Sequence, residues 1–190
     1  MPKYFSYFPE ISYNGKVVKD ITRNARILDS VESNPYSYLP YTIKDEERAE
    51  DIAQHYYGDI NLVWLVYYSN RIVDPYFEWP VSFQNFERTL VKKYKAQAEK
   101  SEGTTLKDTE VLNWTQKTTT NDNILYYYDE DDNRVSKDTI INSAIPTSGW
   151  TAMRIYDKEL ADNEAKRNIQ LLNRAYTDIA VENLKKVINV

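Results

Sequence analysis

A helix spanning about residues 60–68 most constrains how this chain can fold. It carries Leu62, Leu65 and Val66 on one side and Val63, Trp64, Tyr67 and Tyr68 on the others. A helix apolar all round needs burial on more than one face. The residues before it supply one partner. Ala49, Ile52, Ala53, Tyr56 and Tyr57 recur at helical spacing and mark a single apolar face. Gly58 follows the last of them, where a left-handed C-cap is cheapest for glycine, and Asp59 is placed to cap the next helix at once. Upstream, Asp45 reads as the N-cap of the first helix, with Glu46 and Glu47 in its first turn, where the helix dipole favours anions. Residues 38–43 read as a short strand. Asn70 is an end signal, Asp74-Pro75 a turn, and residues 76–81 return as a second short strand. The order over residues 38–82 is strand, helix, tight turn, helix, loop, strand.

The rest of the chain is read around that module. Tyr4, Phe5, Tyr7, Phe8, Ile11 and Tyr13 form an aromatic arm broken by Pro9, and Asn14-Gly15 signals a hairpin turn. Val17, Ile21, Ala25 and Leu28 are spaced for one short helix, a pattern blurred by Ile27 and Val31. Ser82 caps a longer helix with Phe83, Phe86, Leu90, Tyr94 and Ala98 on one face. Strand-like runs lie near 111–115 and 124–128. An acidic turn over 129–134 leads to Val135 and to Thr139-Ile140-Ile141, as in a small antiparallel meander. Residues 151–165 are helical in pattern. The run KRNIQLL, 166–172, either continues that helix or alternates as a strand. A final helix carries Ala180, Leu184, Val187 and Ile188 in a stripe too narrow to stand alone in water.

Composition removes several function classes. The 190 residues carry a net charge of −5, which argues against nucleic acid as the main partner. There is no cysteine, so disulfide frameworks, zinc thiolates and cysteine nucleophiles are excluded. No apolar run is long enough to span a membrane. The first ten residues lack the apolar core of a signal peptide, so we expect a protein made in a cytoplasm or assembled there. With only 4 glycines, phosphate-cradling loops are not expected. The 17 tyrosines suit surfaces that are buried on association yet keep a polar tip.

The residue types that carry chemistry are sparse. His55 is the one histidine and reads as a helix-surface side chain rather than a general base. Asp129, Asp131 and Asn133 open like a calcium loop. Arg134 stands where the loop's glycine belongs and Ile140 where its glutamate belongs, so a solvated turn is the better reading. Asn113-Trp114-Thr115 is a chance glycosylation match, and Glu159 and Glu164 read as a solvated helix face. No cofactor, metal or catalytic group is expected.

Two stretches carry a resemblance. The segment YTIKDEERAEDIAQHYYGDINLVWLVYYSN, followed by DPYFEWP, is similar to a LysM-type module. Its YYGD, LVWL and DPYFEWP elements resemble the LysM-like domain of the baseplate wedge protein family of T4-like contractile-tailed bacteriophages. The segment IYDKELADNEAKRNIQLLNRAY with the terminal helix, and the opening FSYFPEISYNGK, resemble the ends of the same family. The resemblance implies an α+β fold. Its parts are a LysM-like β-α-α-β core, an N-terminal extended arm, a following long helix, a small β-hairpin region and C-terminal helices.

It also implies a structural role in the virion tail baseplate, assembled in the bacterial host cytoplasm. There the chain clamps wedge proteins and joins neighbouring wedges. The partners implied are the helical-bundle proteins of the wedge, the sheath-initiating baseplate protein, and the same protein in neighbouring wedges, with no nucleic acid and no membrane. The alternative is a LysM-type module binding peptidoglycan or chitin. Against it, Asp45-Glu46 replaces the usual Gly-Asp entry after the first strand, and 74–78 replaces the glycine-containing approach to the last. A cell-wall hydrolase has no motif to support it.

The expected organisation is an arm over 1–37, the LysM-like module over 38–82, a helix plus small antiparallel β region over 83–150, and a helical docking segment over 151–190. Interface candidates are Trp64, Tyr67, Tyr68, Tyr76, Phe77 and Trp79 in the module. In the last segment they are Lys166, Arg167, Ile169, Leu171, Leu184, Val187 and Ile188. There the final helix either docks on a neighbour or folds back onto Phe83, Phe86 and Leu90.

Overall fold

The computed structural model describes residues 4–22, 34–143 and 146–188, and the fold is mixed α+β. The chain divides into two compact units: residues 1–80 with 166–190, and residues 81–165. The second is inserted into the first along the sequence.

The first unit begins with a 3-10 turn, Tyr4–Tyr7, and Phe8, whose ring is buried in the core. Strands β1 (Glu10–Tyr13) and β2 (Lys16–Lys19) follow as an antiparallel hairpin. Its turn is Asn14-Gly15, with φ of 48° and 72°, the left-handed pair that a two-residue hairpin turn requires. Val17 is therefore a strand residue, which corrects the helix expected from it. Ile21 lies in a turn and is exposed, and Ala25 and Leu28 lie outside the described residues.

Strand β3 (Tyr38–Thr42) leads to α1 (Ala49–Ile52), which widens into a π-helical turn, Ala53–Tyr57. Helix α1 starts later than expected. Glu46 sits at φ 62°, a left-handed conformation no helix can include, so Asp45 cannot be its N-cap. Asp45 instead pairs with Arg167 at 2.8 Å, and Asp51 accepts the Arg48 N–H at 3.1 Å. The turn at Gly58 and Asp59 is as expected. Gly58 is left-handed at φ 78°, and the Asp59 carboxylate accepts the Asn61 N–H at 2.8 Å. A 3-10 turn, Ile60–Leu62, then runs into α2 (Val63–Ser69).

The strand expected over 76–81 is absent. That segment opens with a one-turn helix, α3 (Pro75–Glu78). Asp74 caps it and Pro75 fills its first position, where a missing N–H costs nothing. The partner of β3 comes from far along the chain. Strand β7 (Asn168–Leu172) pairs with it antiparallel, Tyr41 opposite Ile169 and Leu39 opposite Leu171. KRNIQLL thus resolves as strand from Asn168 onward.

The middle of each outer edge of this two-stranded sheet is blocked, by two different devices. Bonds from Ile43 N–H to the Arg167 carbonyl and from Asn173 N–H to the Ser37 carbonyl fix the ladder. By alternation, positions 40 and 170 face outward. Position 40 is proline, which has no N–H to offer a new strand. At Gln170 the Asn70 side-chain amide takes both groups. It accepts the N–H at 2.7 Å and donates to the carbonyl at 2.8 Å.

Helix α8 (Thr177–Ile188) completes the unit. It packs Ala180, Val181 and Leu184 against Phe8, Leu62, Trp64, Leu65 and Leu172. Ile43, Ala49, Ile52, Ala53, Val66, Ile169 and Leu171 form the adjoining cluster. The all-round apolar α2 is buried on two sides, Leu65 in the first cluster and Val66 in the second, as its composition demands.

The second unit has α4 (Phe83–Glu102), α5 (Asp108–Gln116), α6 (Lys137–Asn142) and α7 (Ile155–Ala165) around a sheet of order β5-β4-β6. The strands are β4 (Ile124–Tyr128), β5 (Arg134–Ser136) and β6 (Thr151–Arg154). Phe86, Leu90 and Ala98 of α4 are buried as expected, while Phe83 is exposed.

Three expectations are corrected here. Residues 111–115 are helical, because Val111, Trp114 and Thr115 share one buried helix face and Glu110 accepts the Lys107 N–H. Residues 139–141 are helical, because Ser136 caps the Thr139 N–H at 3.1 Å. Residues 151–154 form a strand, and the helix starts at Ile155. The acidic turn joins β4 to β5 as expected. The Asp129 carboxylate accepts the Asn133 side-chain amide at 2.8 Å and the Asn133 and Asp131 backbone N–H groups, and these bonds, the Asn133 amide first, hold its pKa below the ordinary value.

Candidate docking surface

Helix α3 displays apolar side chains that the protein itself does not cover. Tyr76 is 92% exposed and Phe77 76%, with Val73 beside them at 88%. Such side chains normally cost solubility, so their placement calls for a cause.

The backbone beneath them is held from several directions. Asp74 accepts the Tyr76 N–H at 3.0 Å. Glu78 folds back to accept the Val73 and Asp74 N–H groups at 2.7 and 3.2 Å. The Lys166 ammonium donates to the Phe77 carbonyl at 2.6 Å. A one-turn helix has little stability of its own. These bonds fix it, so the two aromatic rings are presented by an ordered scaffold. Pre-ordering of this kind lowers the entropy lost on binding.

A groove of about 610 Å³ adjoins them. Arg48 just before α1, Ala49 and Glu50 within it, Tyr67 from α2, and Pro75, Tyr76 and Trp79 line it. The Tyr67 and Trp79 rings meet edge to face with centroids 5.9 Å apart. The Trp79 indole N–H donates to the Glu47 carbonyl at 3.1 Å, which fixes the ring as a wall. Glu47 in turn accepts the Tyr41 hydroxyl at 2.8 Å. Burial, and then the Glu47 carboxylate, push the Tyr41 phenol up to about 12.

The interface candidates separate into three groups. Tyr76 and Phe77 are exposed, with Tyr67 and Trp79 half-buried beside them, and this is the one set the fold brings together as a surface. Trp64, Ile169, Leu171 and Leu184 are buried in the first unit's own core, and Tyr68 is half-buried against it. Lys166 and Arg167 are used within the unit, on Phe77 and on Asp45. The side chains of Val187 and Ile188 lie outside the described ones. Residues 151–190, expected as one docking segment, are shared between the two units, and α8 packs on α2 and β7 rather than on Phe83, Phe86 and Leu90. Sequence reading missed Arg48, Glu50 and the groove, because α1 and α3 meet only in three dimensions.

Among the described residues, no cluster of acidic or histidine side chains is arranged to hold a metal ion, and no helix is long and apolar enough to cross a membrane. His55 is exposed, with Nδ1 2.9 Å from the Asp51 carbonyl oxygen. Glu159 accepts from Lys93 and from the Tyr94 hydroxyl, each at 2.6 Å, in an ion pair that ties α7 to α4.

A family model described as base plate wedge protein 53 matches residues 4–187. Among curated proteins, the baseplate wedge protein gp53 of Enterobacteria phage T4 is similar, at 30% identity over 100 residues. The match covers 48% of this chain and 51% of that protein. The chain thus spans about half the length of the curated relative it matches.

Proposed function

From the premise that this chain belongs to the base plate wedge protein 53 family, a structural and non-enzymatic family of the virion's tail baseplate, we propose that it acts as a clamp within the wedge. It holds helical-bundle proteins of the wedge and joins neighbouring wedges as the baseplate assembles. It meets the sheath-initiating protein and copies of itself in the adjacent wedges. The observation that carries this reading is the ordered, exposed Tyr76–Phe77 pair beside an aromatic groove. Buried aromatic anchors with an adjoining pocket are the usual energetic centre of a protein interface. An apolar helix face is the partner shape such a groove accommodates.

The first unit also supports the LysM-like reading in a modified form. Strand β3, α1, α2 and β7 follow in the order strand, helix, helix, strand, with the one-turn α3 and the inserted unit coming before the closing strand.

A double substitution, Tyr76→Ala with Phe77→Ala, tests the clamp. Both side chains are exposed, so stability should stay within about 0.5 kcal/mol of the parent. Supplied to a phage lacking its own copy, the variant should leave baseplates unassembled. Assembly at the parental level would refute the clamp surface.

A further inference from the structure

The β1–β2 hairpin stands apart from both hydrophobic clusters of its unit. All eight strand residues are exposed, Val17 at 72% and Tyr13 at 65%. Phe8, just before the hairpin, is buried in the core, so the ribbon is anchored at its root. An isolated two-stranded hairpin is marginal in water. One that is anchored but uncovered is a strand waiting for a sheet.

The ladder register shows what it offers. The Asp20 N–H bonds to the Pro9 carbonyl at 2.9 Å. Pairs 9/20, 11/18 and 13/16 are therefore the hydrogen-bonded ones. Alternation leaves the N–H and C=O groups of Val17 and Lys19 facing outward on β2, and those of Glu10 and Ser12 facing outward on β1. Among the described residues, no proline and no side-chain amide closes either edge. In the β3–β7 sheet of the same unit the central outward position of each edge is blocked, by Pro40 and by Asn70. Guarding one sheet and leaving the other open is the pattern expected where the open edge is used.

We propose that the outer edge of β2 is an interaction surface that adds to the sheet of another baseplate protein, pairing with an edge strand that carries carboxylates. This rests on the wedge reading above. Charge selects the partner. β2 reads Lys16-Val17-Val18-Lys19, two β-branched residues between two cations. Its existing neighbour already shows the preference, since Lys19 pairs with Glu10 across the ribbon at 3.2 Å. Lys16 faces Tyr13 and has no carboxylate partner among the described residues. A strand with an acidic group near Lys16 and apolar residues opposite the valines completes the edge. A second copy fits less well. Two four-residue ribbons bury far less than the roughly 1,200 Å² at which stable interfaces begin.

Residue-resolved amide hydrogen exchange tests this, on the full chain alone and in assembled tails. In the purified chain, Glu10, Ser12, Val17 and Lys19 should all exchange fast. In tails, Val17 and Lys19 should lose that fast exchange while Glu10 and Ser12 keep it. Val17→Pro, which deletes an outward N–H, should abolish incorporation with an unchanged melting midpoint, and Ser12→Pro should do neither. Lys16→Glu should reduce incorporation, and full incorporation would remove the acidic strand. Protection in the purified chain that grows with concentration would make the occupant a second copy and overturn the proposal. A chain present in tails with Val17 and Lys19 still fast would overturn it while leaving the wedge reading intact. A chain absent from tails would overturn both.

Discussion

Trp64 and Tyr41 carry the residue-scale energetics of the first unit. Trp64 is 9% exposed and lies against the Tyr4 ring, with centroids 5.5 Å apart. Trp64→Ala should therefore cost about 3–5 kcal/mol, the usual range for emptying a buried aromatic site, read as a shift in the urea midpoint. An unchanged midpoint would mean that Trp64 faces a partner instead. Tyr41 links stability to alkaline pH. Burial and the Glu47 carboxylate hold its proton more tightly in the folded chain, with the phenol pushed from 10.0 up to about 12. The stability this adds is fully present below about pH 10 and is lost as pH rises through about 12. Tyr41→Phe should cost about 1 kcal/mol at neutral pH, the usual net value of one hydrogen bond. Its unfolding free energy should then fall less steeply than the parent's between those two pH values. Parallel profiles would contradict the coupling.

At the scale of elements, β7 and α8 decide whether the first unit folds. They supply Leu171, Leu172, Ala180, Val181 and Leu184 to its core, and among the described residues β7 is the one strand paired with β3. A chain ending at Asp157 should lose the cooperative melt of that unit altogether, followed by calorimetry. Retention of the parental transition would make residues 158–190 dispensable to the fold. Much of the local structure was legible. Asn14-Gly15 and Gly58 with Asp59 are signals whose mechanism acts within a few residues. The failures share a cause. Asp74-Pro75 serves equally as a turn and as a helix start, and the four-residue α3 is too short to show periodicity. β3 pairs with a strand beyond the inserted unit, and no local pattern reports such a partner. The same holds for the candidate surface. Tyr76, Phe77 and Trp79 stood out in sequence as aromatics beyond the end of α2, but the groove they share with Arg48 and Glu50 exists only after α1 packs against α2.

At the scale of the whole molecule, the chain is one unit interrupted by another, and the first holds both candidate surfaces, α3 and the β1–β2 ribbon. Both expose apolar side chains on anchored backbone. Photo-crosslinking in assembled tails tests the central claim most directly. A benzophenone amino acid replaces Tyr76, and in a control it replaces the exposed Thr109 of α5. The account predicts that position 76 forms a crosslink to another baseplate protein, identified by mass spectrometry, at a yield well above the control. Tails that incorporate the labelled chain yet give no crosslink from position 76, or one no stronger than from position 109, would contradict it.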